Sequence, residues 1–259
     1  MSKSYQVLVV GGGAAGLATA ASLKKRDRSL EVAVVEPSDK HYYQPGWTMV
    51  GAGVFTKEDT IKDTDSIWPS DVIRIKDEVI KFDPKNNKVT LGNKTEVGYE
   101  MLVVASGLKL DWEAIEGLSE SLGENGVTSN YRYDLAPYTW ELVQEMNGKN
   151  AIFTQPPMPI KCAGAPQKAM YLSCDHWQKS GQLDEMNVSF CNAGPVLFGC
   201  ATYVPPLMKY VEKYGINLDF GHNLTKIDGP SKKAWFSVKK EGEDAKTIER
   251  SFDMIHVCP

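Results

Sequence analysis

The sequence lacks the features of several protein classes. No apolar run approaches the roughly 20 residues that span a bilayer, and its four histidines show no metal-ligand spacing. Lys and Arg number 29 against 33 Asp and Glu, a net charge of −4, so nothing favours nucleic-acid binding. Five cysteines without an evident pairing pattern indicate a reducing compartment rather than a disulfide framework. An apolar run begins at Tyr5, so we expect no signal or transit peptide.

A glycine-rich motif near the start of the chain carries the clearest signal. The apolar run 5–10 leads into Gly-Gly-Gly-Ala-Ala-Gly at 11–16, a helical pattern follows, and a second apolar run at 32–35 ends on Glu36. Strand, G-x-G-x-x-G, helix, strand and acid in this order are typical of a dinucleotide-binding βαβ unit. Glu36 can accept hydrogen bonds from both hydroxyls of a ribose. The alternative is a glycine-rich turn with an incidental glutamate.

Each position of the motif has a predicted role. Gly11 permits the tight turn, Gly13 lets the backbone approach a pyrophosphate, and Gly16 lets helix and strand pack closely. The N–H groups of Ala14 and Ala15 open a helix whose positive end faces the phosphates. We therefore expect the amino-terminal region to bind a dinucleotide.

Later segments could complete this nucleotide site. Gln44, in the polar and aromatic loop after the second strand, could bond the nucleotide. A predicted hairpin of strands 79–82 and 88–91 would place the backbone edge at Val79 against an adenine ring. The buried run 99–107 ends in Ser106 and Gly107, where small residues again let the backbone approach a cofactor.

A second α/β unit is predicted to start near residue 150. We expect strands at 151–154, 187–191 and 216–220, helices at 165–179 and 203–214, a meander over 224–253 and a last strand at 254–258. Between its first strand and helix stands QPPMPIKCAGAP, residues 155–166, in place of a glycine fingerprint. Prolines and a lysine-cysteine pair cannot make the tight pyrophosphate turn, so no nicotinamide dinucleotide is expected there.

Cys162 is the candidate reactive residue. It lies just ahead of a predicted helix N-terminus and beside Lys161. Both neighbours favour the thiolate, so the pKa of the thiol can fall below its usual value of about 8.5. Such a thiolate could attack sulfur or a flavin; the alternative is a small residue buried in a proline-rich turn. Cys200 lies on a loop at a strand tip. The remaining cysteines are expected to be structural: Cys174 in a helical core stripe, and Cys191 and Cys258 in strands.

These motifs resemble the sulfide:quinone oxidoreductases, in particular the branch that includes the mitochondrial enzymes. The resemblance covers essentially the whole chain. It implies an α/β fold with two Rossmann-like dinucleotide-binding domains of the glutathione-reductase type, the second inserted in the first. Residues 1–110 would be the first segment of the FAD-binding domain, and residues 111–259 the domain that carries the reactive cysteine. The matching stretches are VLVVGGG at 7–13, VEPS at 35–38, HYYQP at 41–45, Trp47, VGAG at 50–53 and, most specifically, KCAGAPQK at 161–168.

The resemblance also implies a chemistry. FAD would be the cofactor, hydrogen sulfide the electron donor and a membrane quinone the acceptor. In the family, sulfide opens a sulfur bridge between two cysteines, leaving a persulfide on one and a thiolate on the other; the sulfur then passes to sulfite, a thiol or polysulfide. Cys162 carries over as one of these two cysteines, with the choice between roles left open. The flavin-binding positions carry over to Gly11, Gly13, Ala14, Ala15, Gly16, Glu36, Gln44 and Val79.

The chain departs from the family in one respect. In relatives the partner cysteine, the return to the flavin domain and an amphipathic membrane-seating region lie downstream of the position matching residue 259. We therefore expect an amino-terminal fragment with an incomplete flavin site. Cys200 or Cys258 could be substitute partners, but neither sits in a matching motif. The complete protein is expected to be a peripheral membrane protein, on the cytoplasmic face in a bacterium or the mitochondrial inner membrane in a eukaryote.

Two other functional classes stay open. A type II NADH:quinone oxidoreductase-like flavoprotein would need a second G-x-G-x-x-G where residues 155–166 stand, and its absence argues against this class. A non-enzymatic flavin-binding remnant is the other alternative.

Overall fold

The computed structural model describes residues 3–239 and 244–259. The chain divides into two compact units, one of Met1–Tyr43 with Ile61–Lys109 and the other of Gln44–Thr60 with Leu110–Pro259. The second boundary lies one residue from the expected division at 110/111. The segment 44–60 differs from the expectation, because it belongs to the second unit. It does so through Trp47 and Val50, which pack with Ala136 in one apolar cluster.

The first unit is built on a six-stranded sheet. Its elements are β1 (Lys3–Val10), α1 (Ala14–Arg26), β2 (Val32–Val35), β3 (Lys40–Tyr42), β4 (Ile61–Asp63), β5 (Ile73–Ile75), β6 (Val79–Asp83), β7 (Lys88–Leu91) and β8 (Glu96–Val104). The strand order in the sheet is β5-β2-β1-β8-β7-β6. Strands β5, β2, β1 and β8 are parallel, and the β6–β7 hairpin joins β8 antiparallel. Strands β3 and β4 pair separately.

Apolar patterning explains the centre of this sheet. Every residue of β2 is buried, as expected of a parallel strand covered on both faces. Helix α1 buries Gly16, Leu17 and Ala20, the face that packs on the sheet. Its last turn carries Lys24, Lys25 and Arg26, whose positive charges suit the negative end of the helix dipole. The predicted βαβ unit is thus confirmed.

The second unit holds a parallel five-stranded sheet and an antiparallel meander. Its elements are α2 (Trp47–Val50), α3 (Leu118–Ser121), β9 (Val127–Thr128), α4 (Ala136–Glu145), β10 (Asn150–Gln155), α5 (Ala165–Lys179), β11 (Asn187–Asn192), α6 (Val204–Lys213), β12 (Asn217–Phe220), β13 (His222–Asp228), β14 (Lys233–Val238), β15 (Lys246–Ser251) and β16 (Met254–His256). The order in the parallel sheet is β12-β11-β10-β16-β9. The three-stranded meander, β13-β14-β15, matches the expected one.

The largest core of the second unit lies around helix α5. Cys174 and Trp177 are fully buried there against Phe153 and Phe190, so the predicted packing role of Cys174 is confirmed. The indole N–H of Trp177 donates to the carbonyl of Val143 at 2.8 Å. This packing fixes the helix that begins directly after the cysteine loop.

Two strand and helix predictions need correction. Cys191 lies in β11 and is buried, as predicted, but Cys258 is not in a strand, because β16 ends at His256. Cys258 is nevertheless buried. The helix expected from Tyr203 begins at Val204, after a short 3₁₀ turn over Ala201–Tyr203. No helix within the described residues is long and apolar enough to cross a membrane.

Candidate functional site

The glycine loop of the first unit is shaped by contacts within the backbone. Gly11 adopts φ +100°, and its N–H donates to the carbonyl of Val35 at 2.9 Å. A Cβ on Gly11 would lie 2.4 Å from the carbonyl oxygen of Ala105, and one on Gly16 would lie 1.8 Å from the carbonyl oxygen of Gly11. Side chains at these two positions are therefore excluded by the protein itself. The roles predicted for the turn and for close helix–strand packing follow from this geometry.

The outer side of the same loop is open. Gly13, Ala14 and Ala15 are exposed, and a Cβ on Gly13 would meet no atom within 4 Å. Gly13 is the N-cap of α1 and makes no side-chain capping bond. The first N–H groups of a helix have no intrahelical acceptor, and the helix dipole adds positive potential there. The loop therefore has both the donors and the space that a pyrophosphate requires.

Glu36 is held rigidly at the end of β2. One carboxylate oxygen accepts from the N–H of Gly12 at 2.7 Å, and the other accepts from the N–H of Ser38 at 2.8 Å. A carboxylate oxygen has a further lone pair, so each can still accept a ribose hydroxyl. The carboxylate is thus oriented beside the glycine loop before any nucleotide arrives.

The other predicted nucleotide contacts divide between the two units. Ser106 and Gly107 follow β8 and are exposed; Gly107 has φ +75°, and a Cβ there would meet nothing within 4 Å. Val79 begins β6 and packs on the apolar cluster that contains Val35. Gln44 begins a 3₁₀ turn in the second unit. Within the first unit, the glycine loop, Glu36 and the open Gly107 together fit a dinucleotide.

The cysteine loop of the second unit joins β10 to α5. Cys162 is exposed and adopts φ +63°, and its carbonyl accepts the N–H of Ala165, the first residue of the helix, at 2.9 Å. A left-handed conformation costs an L-residue about 1–2 kcal/mol. Such strain persists where the surrounding structure imposes it and is concentrated at functional sites. The alternative of a buried small residue is wrong for Cys162.

Lys161 adds positive charge close to this cysteine. Burial lowers the pKa of the Lys161 ammonium, and the negative charge available on Cys162 opposes that shift. Its Nζ lies 5.7 Å from the ring centroid of Tyr131. The Lys161 side chain thus packs against Tyr131 next to Cys162, and its effect on the thiol stays a prediction.

Sequence reasoning missed Tyr131, which lies beneath the cysteine loop. The side chain is buried, and its hydroxyl donates to the carbonyl of Lys161 at 2.7 Å and lies 3.2 Å from the carbonyl oxygen of Cys162. An interaction with this hydroxyl lowers the pKa of the Cys258 thiol, against the larger effect of burial. Burial raises the pKa of both Tyr131 and Cys258, so both stay protonated at neutral pH. Tyr131 follows β9, and recognition of that strand would have placed it at the carboxyl edge of the sheet, where ligands bind.

A second buried group near this sheet edge is His256. Its Nε2 accepts the backbone N–H of Asn130 at 2.9 Å, which requires the neutral ring. Burial lowers the pKa of His256 to about 4. Among residues 3–239 and 244–259, no group of three or more His, Cys, Asp and Glu side chains is arranged to hold a metal ion.

Comparison with known proteins agrees with this geometry. Residues 5–141 match the family described as pyridine nucleotide-disulphide oxidoreductase. The chain is 41% identical to the mitochondrial sulfide:quinone oxidoreductase of Dictyostelium discoideum and 36% identical to that of Mus musculus, in each case over 98% of this chain. The resemblance identified from the motifs is therefore confirmed. The chain spans 56% of the length of each of these relatives.

A solved structure shows the same fold. The sulfide:quinone oxidoreductase from Aquifex aeolicus matches with a TM-score of 0.81 at 20% sequence identity, over 100% of this chain and 58% of that one. At this identity the match supports the architecture alone. The predicted α/β fold class is confirmed.

Proposed function

Because the chain belongs to the pyridine nucleotide-disulphide oxidoreductase family, we propose that the protein of which it forms part is a flavoprotein that oxidises hydrogen sulfide with a quinone. One observation carries the proposal. A nicotinamide-binding enzyme needs a glycine fingerprint in the second unit. At that place the β10–α5 loop presents the exposed thiol of Cys162, whose backbone adopts a left-handed conformation. Similarity to sulfide:quinone oxidoreductases over 98% of the chain supports the same conclusion.

The first unit would hold FAD. The N–H groups that open α1 would bind the pyrophosphate, and Glu36 would accept the ribose hydroxyls. The open backbone at Ser106 and Gly107 would allow close approach of the cofactor, with Gln44 and Val79 as further contacts. When bound, FAD supplies a two-electron oxidation and passes the electron pair to the quinone.

Cys162 would be one of two sulfur-handling cysteines. Hydrosulfide attacks a sulfur bridge between them: a new S–S bond forms, the bridging S–S bond breaks, and one cysteine leaves as a thiolate. The other retains a persulfide, whose outer sulfur passes to sulfite, a thiol or polysulfide. The protonated amine of Lys161 beside Cys162 would stabilise the negative sulfur species.

A quinone acceptor would require the complete protein to lie at a membrane surface. A quinone resides in lipid, so the complete protein would be peripheral to the cytoplasmic membrane of a bacterium or to the mitochondrial inner membrane of a eukaryote. Acidic net charge gives no support to nucleic acid as a partner.

Anaerobic titration of the full-length flavoprotein tests this proposal. Sulfide is expected to bleach the flavin absorbance stoichiometrically, whereas NADH is expected to leave it unchanged over the same period. Rapid bleaching by NADH would assign the protein to the NADH:quinone oxidoreductases instead. A flavin that neither donor reduces would indicate a binding protein without this activity.

A further inference from the structure

Tyr131 is the buried group through which the second unit holds the cysteine loop. Its side chain is 4% exposed, and its hydroxyl is bonded to the carbonyl of Lys161 at 2.7 Å and lies 3.2 Å from that of Cys162. One hydroxyl thus contacts two consecutive carbonyls, which precede and follow the Cα atom of Cys162. A phenylalanine would fill the same space and leave the carbonyl of Lys161 without this donor.

The conformation of Cys162 requires an external restraint. A non-glycine residue at φ +63° is disfavoured, and its surroundings must impose the conformation. Within the loop, the bond from Ala165 N–H to the Cys162 carbonyl closes only the turn into α5. The bond from Tyr131 to Lys161 comes from outside the loop, from the segment after β9.

The surroundings of the hydroxyl keep it a donor. Its two acceptors in the loop are the carbonyls of Lys161 at 2.7 Å and Cys162 at 3.2 Å, and the shorter contact directs the hydroxyl proton to Lys161. The side chain is buried, and burial raises the pKa of Tyr131, so the phenol does not lose this proton near neutral pH. The hydroxyl therefore remains a donor to the cysteine loop.

We propose that Tyr131 is a positioning residue, whose hydroxyl holds the Lys161–Cys162 backbone in the left-handed conformation that presents the Cys162 thiol. The inference rests on the sulfur-handling role proposed for Cys162, because only there does the position of this thiol affect a reaction. It assigns Tyr131 no contact with sulfide or cofactor.

Tyr131→Phe tests the proposal against a purely packing role of the ring. Hydrogen exchange in the peptide that contains residues 160–165 is expected to become about fivefold faster, the factor that corresponds to one ordinary hydrogen bond. In the full-length flavoprotein, the maximal rate of flavin bleaching by sulfide should fall by at least the same factor, with unchanged flavin content. Unchanged exchange at 160–165 would overturn the proposal.

Tyr138→Phe is the matched control. The hydroxyl of Tyr138 also satisfies a backbone group, the N–H of Gly126 at 3.0 Å, but it does not contact the cysteine loop. This variant should leave exchange at 160–165 and the bleaching rate unchanged. Equal effects of the two substitutions would show general destabilisation and contradict the proposal.

A second variant separates strain from folding. In a Cys162→Gly chain, where the left-handed conformation is easily adopted, Tyr131→Phe should accelerate loop exchange less than it does with cysteine present. Equal acceleration in both backgrounds would overturn the proposal. If sulfide fails to bleach the wild-type flavin, the proposed function fails, whereas the exchange data still decide the role of Tyr131.

Discussion

The β1–α1 and β10–α5 loops each join a central parallel strand to the following helix, but they expose different chemical groups. In the first, Gly11 and Gly16 bring backbone close to backbone, and exposed residues at the start of α1 leave N–H groups for an anion. In the second, prolines replace the glycines and the loop exposes the side chain of Cys162. The composition of one loop thus decides whether the connection presents backbone donors or an exposed side chain.

The loops also differ in where they carry strain. The first uses glycine at the positive φ of Gly11, where an L-residue would collide with Ala105. The second keeps a cysteine at a positive φ and holds it with Tyr131. The glycine loop therefore avoids the cost of a left-handed L-residue, whereas the cysteine loop retains it.

The largest effect is expected at Gly16. In Gly16→Ala the new Cβ would lie 1.8 Å from the carbonyl oxygen of Gly11, and overpacking of this severity should lower the free energy of unfolding by about 3 kcal/mol or more. Gly13→Ala, where the Cβ meets nothing within 4 Å, should lower it by only about 1 kcal/mol, the difference between glycine and alanine at a helix N-cap, yet weaken flavin binding in the full-length protein. Urea unfolding and flavin retention measure the two effects.

Each of the two glycine substitutions has a result that would contradict its prediction. If Gly16→Ala were as stable as Gly13→Ala, the close packing of α1 on β1 would not explain the motif. If Gly13→Ala retained flavin with unchanged affinity, the open side of the loop would not be the pyrophosphate site.

The buried imidazole of His256, in the second unit, should make the free energy of unfolding depend on pH. His256 has a folded-state pKa of about 4 against an ordinary 6.5, so between these values the unfolded chain binds a proton that the folded chain does not. Stability should therefore fall as pH falls from about 6.5 to about 4, by about 3 kcal/mol in total for this group. Urea unfolding across this pH range measures the slope.

His256→Asn should flatten that slope while retaining an acceptor for the Asn130 N–H. His222→Asn is the control, because His222 is only partly buried. An unchanged slope in His256→Asn would mean that the buried imidazole does not resist protonation.

The smallest effect is expected at the strained cysteine. Cys162→Gly removes a left-handed penalty of about 1–2 kcal/mol and adds a glycine entropy cost of about 0.5–1 kcal/mol, so stability should rise by about 0.5 kcal/mol. Cys162→Ala keeps the penalty and should show no gain. A gain in alanine equal to that in glycine would show that the φ of Cys162 stores no strain.

Local patterns were enough to predict most of the elements. The apolar run of β2 and the stripe of α5 gave bounds that the structure reproduces, Val32–Val35 and Ala165–Lys179, because each buries a face at regular spacing. Strand β9 has two residues and is too short for such a pattern. Helix α4 was also missed, although Pro137 in its first turn is a recognised start signal.

Long-range packing could not be read from the sequence. The attachment of 44–60 to the second unit depends on Trp47 and Val50 meeting Ala136, which no local pattern indicates. Similarly, Tyr131 and Cys258 follow β9 and β16, two strands that pair although they lie far apart in the chain. The glycine loop could be predicted because its chemistry is local, whereas the support of the cysteine loop comes from other strands.

The role of Cys162 is tested most directly by comparing two exposed cysteines, Cys162 and Cys200, in the full-length flavoprotein. Flavin bleaching by sulfide is measured under anaerobic conditions in Cys162→Ser and Cys200→Ser, each with its flavin content determined. We expect Cys162→Ser to retain flavin and lose bleaching, whereas Cys200→Ser should bleach as the wild type does. Bleaching of Cys162→Ser at the wild-type rate would contradict the sulfur-handling role of Cys162.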